Sequence, residues 1–139
     1  TYYWGDIHLQ NFGKARAERI SPVQDAIQAG LRYTFHQDTP VLPPDMMKTI
    51  GCAVNRVTRE GVLLAKEQRV TVQEALEAVT IHAAYQYGEE ADKGSIEAGK
   101  KANFVILDKN PLHTPHEELE SIKVLETIVD GETIFCREP

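Results

Sequence analysis

The chain has 139 residues, 42% hydrophobic and 26% charged, with 15 Lys and Arg against 21 Asp and Glu for a formal charge of −6. No run approaches the ~18 apolar residues that span a bilayer, the opening TYYWGDIHLQ lacks the basic start and apolar middle of a secretory signal, and no basic stretch is clustered enough to neutralise a run of phosphates. A membrane or nucleic-acid partner is therefore excluded. The two cysteines, Cys52 and Cys136, imply neither a disulfide framework nor a zinc knuckle, and a reducing cytoplasmic setting is expected.

The chain opens at Thr1 on an aromatic cluster, Tyr2, Tyr3 and Trp4, with no turn or cap signal ahead of it, which suggests a piece of a longer protein. From Ser21 to Gly30 the sequence predicts a short helix: Ser21 to cap, Pro22 in the first helical position, Gln24 three residues after the cap and Gly30 to stop it. Leu31 to Gln37, LRYTFHQ, has the aromatic and β-branched content of a strand. Alternation puts Leu31, Tyr33, Phe35 and Gln37 on one face and Arg32, Thr34, His36 and Asp38 on the other. The stretch TPVLPPD is too proline-rich for regular structure and predicts a stiff loop.

Met46, Ile50, Ala53 or Val54, and Val57 then recur at helical spacing, predicting a helix that ends near Gly61. Thr71 with Glu74 forms a capping box that opens a second helix, whose apolar stripe Val72, Leu76, Val79, Ala83 and Tyr87 runs to a stop at Gly88. The last third changes period. Phe104 to Leu107 is a short continuous apolar run, and Asp130-Gly131 between Val124–Val129 and Thr133–Cys136 is a strong hairpin signal.

A polar face on a strand needs a reason, because burying a carboxylate is costly unless it is paired or binds a metal. Asp38 ends that strand ahead of a rigid loop, with His36 pointing the same way. In a β/α barrel the C-terminal ends of strands are where catalytic groups stand. The plainer alternative is that Asp38 caps the turn before Pro40 and that His36 is an interior imidazole. Trp4 with Tyr2 and Tyr3 lines a pocket or belongs to the core at a strand end. There is no His-x-His, His-x-x-x-His or Cys-x-x-Cys pair, no glycine-rich phosphate loop and no G-x-S-x-G, so the chain cannot complete a metal site or a catalytic centre unaided.

The tail KGSIEAGKKANFVILDKNPL, Lys93 to Leu112, resembles the closing segment of the amidohydrolase superfamily, where a G-x-I-x-x-G-K-x-A-D run and three hydrophobic residues end on Asp. EQRVTVQEALEAVTIHAAYQYG resembles the helix that precedes it there, and VLETIVDGETIF the final hairpin. Upstream, Tyr2 to Gly61 is similar to the last two β/α units of the type-3 branch, which includes N-substituted formamide deformylases and proteins named as exoenzyme regulators.

The resemblance implies an α/β fold in which residues 1–92 are the C-terminal portion of a metal-dependent hydrolase (β/α)₈ TIM barrel and residues 93–139 are the C-terminal strands of a small β-sandwich. Such a barrel takes about 250 residues. It further implies that Leu31–Gln37 is the eighth barrel strand and that Asp38 matches the aspartate that contacts the catalytic metal and takes a proton from the metal-bound water. The implied cofactor is a divalent metal, commonly zinc, held by the intact protein and not by this portion, because the remaining ligands precede Thr1. Asn103 departs from the pattern by standing where the motif has Asp, an isosteric change.

The implied activity is hydrolysis of carbon–nitrogen bonds other than peptide bonds in a small-molecule amide-like substrate, with the chain inactive by itself. Tyr3, Trp4, His36 and Thr39, which opens the loop to Leu42, are the substrate-pocket candidates. A different class of function is a non-catalytic regulatory or interaction protein that keeps the amidohydrolase fold. In a third reading the chain is a stable unit of its own that hides exposed strand edges as a homodimer instead of against the upstream remainder of its barrel.

Overall fold

The side chain of Asp45 accepts a hydrogen bond from the Lys48 backbone N–H at 3.0 Å, and this cap starts the helix on which the core is built. In the computed structural model, which describes residues 1–138, that helix is α4 (Met46–Asn55). It follows α1 (Gly5–Phe12), α2 (Lys14–Ala17) and α3 (Val23–Gln28), and precedes α5 (Val72–Val79) and α6 (Ile81–Gln86). An antiparallel sheet of β1 (Phe104–Leu107), β2 (Val124–Val129) and β3 (Glu132–Cys136), in that spatial order, closes the chain.

Met47, Ile50 and Val54 point from one face of α4 into the core. They meet Val70, Val72 and Ala75 at the start of α5, and Leu119 and Ile122 from the turn before β2. Each such aliphatic side chain contributes roughly 1.5–3 kcal/mol on burial. Phe35, Val23 and Ile27 pack on the same cluster from the N-terminal side and Leu107 from β1, so one core joins the helices to the sheet.

Two groups missed in the sequence hold this arrangement. Arg56, 1% exposed, ends α4 in the left-handed region at φ 51°. Its guanidinium donates to the carbonyls of Leu64 at 3.0 Å, Ser21 at 3.0 Å and Ile20 at 2.9 Å, and burial pulls its pKa below the ordinary arginine value. Gln68 accepts from the backbone N–H groups of Gln24 at 2.9 Å and Asp25 at 3.3 Å, while its amide donates to the Asp25 carboxylate at 2.7 Å.

Gln68 thereby caps α3, which corrects the Ser21–Gly30 prediction. Ser21 has φ 47° and gives no cap, and the helix is Val23–Gln28. The helix starting at Met46 stops at Asn55, well before Gly61, because Arg56 turns left-handed to reach its carbonyls. The expected Thr71–Gly88 helix has its capping box, but it breaks at Thr80 (φ −122°, ψ −94°), whose hydroxyl donates to the Leu76 carbonyl at 2.7 Å. Tyr87 consequently leaves the stripe and is 77% exposed. Gly5–Phe12 and Lys14–Ala17, without a sequence signal beyond Asp6 in the first turn, are helical on either side of Gly13, and Tyr2 to Trp4 form the turn that enters α1 instead of standing at a strand end.

The C-terminal motif acts as scaffold throughout. Asp130 (φ 50°) and Gly131 (φ 83°) make the two-residue β2–β3 turn, where paired positive φ values match the strand twist. The Asn103 Oδ1 accepts from the Asp130 N–H at 2.8 Å, a task that Asp or Asn performs equally. Asp108 accepts from the Lys123 N–H at 2.8 Å, and Lys100 donates to the Glu90 carbonyl at 2.6 Å and the Ser95 hydroxyl at 2.7 Å.

Replacing Arg56 with Met should lower stability by about 3 kcal/mol, because three carbonyls lose their donor, and should shift the urea midpoint accordingly. An unchanged midpoint would refute the role given to the guanidinium. Gly94 has φ 92°, and a Cβ there would stand 2.7 Å from the Ala84 Cβ and 2.9 Å from the Ile81 Cα. Gly94→Ala is expected to cost about 2 kcal/mol in the same assay.

Candidate functional site

Leu31 to Gln37 was expected as a strand, yet it forms no strand ladder. A strand requires a neighbour to bond its N–H and C=O groups, and the described residues offer this segment none. Side chains fix it instead. The Tyr33 hydroxyl donates to the Glu74 carbonyl at 3.2 Å, and the Tyr33 ring lies 5.7 Å from both Phe35 and His82. The Thr34 hydroxyl donates to Gln86 at 2.6 Å, and the Gln37 amide donates to the Asp45 carbonyl and the Thr49 hydroxyl. Alternation survives as burial only in part: Tyr33, Phe35 and Gln37 are half-buried and Arg32, His36 and Asp38 exposed, but Leu31 is exposed and Thr34 half-buried, against the expected faces.

Asp38 ends the segment at φ 58°, a left-handed conformation that Asp tolerates better than most residues. Its carbonyl accepts from the Val41 N–H at 2.7 Å, closing the turn. Its carboxylate joins none of the ion pairs among the described residues.

Asp38 and His36 line a cavity of about 500 Å³ together with Tyr3 and Trp4, so four of the five candidate residues share one site. Thr39 is not in its lining; Leu42 and Pro43 supply the loop's contribution. The first turn of α4 forms another wall through Asp45, Lys48 and Thr49. The aromatic wall is anchored where the Arg59 N–H donates to the Tyr2 carbonyl at 3.0 Å, and the Tyr2 and Tyr3 rings meet edge-on at 4.9 Å.

Lys48 escaped notice in the sequence. Its Nζ lies 5.0 Å from the Tyr2 ring centroid and 5.1 Å from that of Tyr3, contacts of roughly 0.5–1 kcal/mol each at an exposed site. The Tyr3 hydroxyl beside it, with the longer-range field of Glu120, raises the ammonium's pKa above the usual lysine value against the opposing effect of burial.

Among the described residues no group of three or more His, Cys, Asp or Glu side chains comes together to hold a metal ion. Asp45 is committed to the α4 cap, and the cavity's other His, Cys, Asp or Glu side chains are Asp38, His36 and Cys52. The arrangement presents a carboxylate at Asp38 and a positive charge at Lys48 to the same cavity.

The sequence profile of the amidohydrolase family matches residues 1–135. The N-substituted formamide deformylase of Arthrobacter pascens is 35% identical over 132 residues, 94% of this chain and 24% of that protein. The chain thus spans about a quarter of the length of the curated relatives it matches. Among solved structures, an amidohydrolase from Thermotoga maritima superposes with a TM-score of 0.63 at 22% identity, over 83% of this chain and 26% of that one. A 5-methylcytosine deaminase from Klebsiella pneumoniae gives 0.61 at 21% identity, over 85% and 28%.

The anchor of the Asp38 segment carries a pH signature. Burial, then the negative charges of Glu74 and Glu77, push the Tyr33 phenol up to about 12 from 10.0. The fold therefore favours the neutral phenol, a contribution fully present below pH ~10 and lost as pH rises toward 12. The stability difference between the native chain and Tyr33→Phe should shrink over that window in thermal melts. A constant difference would count against the assignment.

Proposed function

The chain belongs to the amidohydrolase family, and on that premise we propose that it is the closing portion of a metal-dependent enzyme that hydrolyses a non-peptide carbon–nitrogen bond in a small amide-like substrate. In this reading residues 1–92 complete a (β/α)₈ barrel and residues 93–139 contribute strands to a β-sandwich. The upstream barrel is then the natural partner of the segment carrying Asp38. The carrying observation is that Asp38, in no ion pair among the described residues and held left-handed at the end of that segment, lines a cavity in a chain matched by the family profile over 1–135.

Members of the family generally use a divalent metal. Here such an ion, zinc in our reading, would take one oxygen from Asp38 and its other ligands from outside this chain. When bound it acidifies the attacking water to a pKa of about 7 and polarises the scissile carbonyl. Asp38 takes the proton released as water attacks and passes it to the departing nitrogen, which otherwise leaves as an unstable anion. Tyr3, Trp4 and His36 bound the space in which the substrate sits. The formamide named for the Arthrobacter pascens relative is the substrate class to try first.

In the complete protein Asp38→Asn should reduce kcat by about 10²- to 10⁴-fold on an N-substituted formamide. Asn also tolerates the left-handed region, so the melting temperature should hold. The 139-residue chain should show no turnover under the same conditions. Full activity in Asp38→Asn would remove this residue from the mechanism. A folded, metal-loaded complete protein that turns over no amide would favour a regulatory role for the fold.

A further inference from the structure

The polar groups around the cavity divide into those engaged with each other and those with capacity left. The Asp45 carboxylate caps α4, and its carbonyl accepts from Gln37 and from the Thr49 hydroxyl at 3.0 Å. The Thr49 hydroxyl itself accepts from Gln37, which closes the circuit. The side chains of Asp38, His36 and Lys48 lie outside that circuit, which takes only the backbone N–H of Lys48, while these residues line the same cavity.

Of these, Lys48 is the cation, and it joins none of the ion pairs among the described residues. Its ammonium is flanked by two tyrosine rings, at 5.0 and 5.1 Å. An aromatic face attracts a cation through its quadrupole but supplies no counter-charge. The rings therefore direct the charge without neutralising it, and they restrain a long side chain that would otherwise extend into solvent.

We infer that Lys48 is a specificity-determining residue of the substrate pocket, binding a carboxylate that the substrate carries away from its scissile bond. The inference rests on the reading of the cavity as a substrate site. A carboxylate held at Lys48 leaves the neutral amide end of the substrate free to reach Asp38, so the cation sets the substrate's orientation as well as its class. A cavity of about 500 Å³ suits a small organic acid. Lysine serves as a point charge, so affinity depends on the ligand's charge more than on a bidentate geometry.

The test compares N-formyl-γ-aminobutyrate with N-butylformamide, the same chain ending in methyl, by calorimetry on the complete metal-loaded protein carrying Asp38→Asn, which slows hydrolysis of either compound during the titration. The acid should bind about five- to tenfold more tightly. Lys48→Met should abolish that preference with the neutral amide unchanged within about twofold, and Lys48→Arg should restore most of it. Raising the salt should narrow the gap.

Equal binding of the two compounds, or equal weakening of both by Lys48→Met, would overturn the inference. Turnover of the same pair by the complete protein with Asp38 intact separates the two levels of interpretation. A charge preference without hydrolysis defeats the enzymatic reading and leaves Lys48 its role. Hydrolysis without a charge preference defeats the role of Lys48 alone.

Discussion

The buried guanidinium of Arg56 is the constraint around which the other elements are arranged. A charged group removed from water is destabilising unless its donors are satisfied, and here backbone carbonyls satisfy them. Those carbonyls belong to Ile20 and Ser21, which lead into α3, and to Leu64, which follows the loop after α4. A single side chain thus joins the end of α4 to the segments on either side. The first turn of α4 carries Asp45, Lys48 and Thr49, so the position of one wall of the cavity follows from where Arg56 stops the helix.

The opposite wall is held by different means. Leu31 to Asp38 lacks ladder partners, and its place is set by side chains: Tyr33 on the α5 backbone, Thr34 on Gln86, Gln37 between Asp45 and Thr49. Gln37 matters most for the site, because it ties the residue preceding Asp38 directly to the start of α4. The two walls are therefore coupled through the circuit that fixes the α4 cap. A polar residue at the end of an apolar alternation, which from sequence gives the strand a mixed character, is the fastener between them.

The features legible in the sequence are those whose partners are neighbours along the chain. The Thr71–Glu74 capping box and the Asp130-Gly131 turn each contain their physics within a few residues, and both are present in the structure. Ser21 looked like a cap on the same local grounds, but the cap of α3 comes from Gln68. Thr80 looked like helix interior, but its hydroxyl and the close approach of Gly94 accompany a break. For the candidate site, the cavity gathers Asp38, His36, Tyr3 and Trp4, which pattern and resemblance had singled out, and leaves Thr39 aside. Lys48 was invisible because its significance comes from two rings at the other end of the N-terminal half.

The distant capping of α3 also bears on the order in which the chain can organise itself. Gln68 bonds the N–H groups of residues 44 and 43 positions earlier. A nascent chain leaving the ribosome has α3 exposed for the time needed to synthesise that interval, a few seconds at about 5–20 residues per second. Six residues with no cap of their own are too short to be stable alone. The segment Leu31 to Asp38, lying between α3 and its distant cap, is thus kept from its final setting until the next third of the molecule has emerged, and translation itself delays assembly of the cavity.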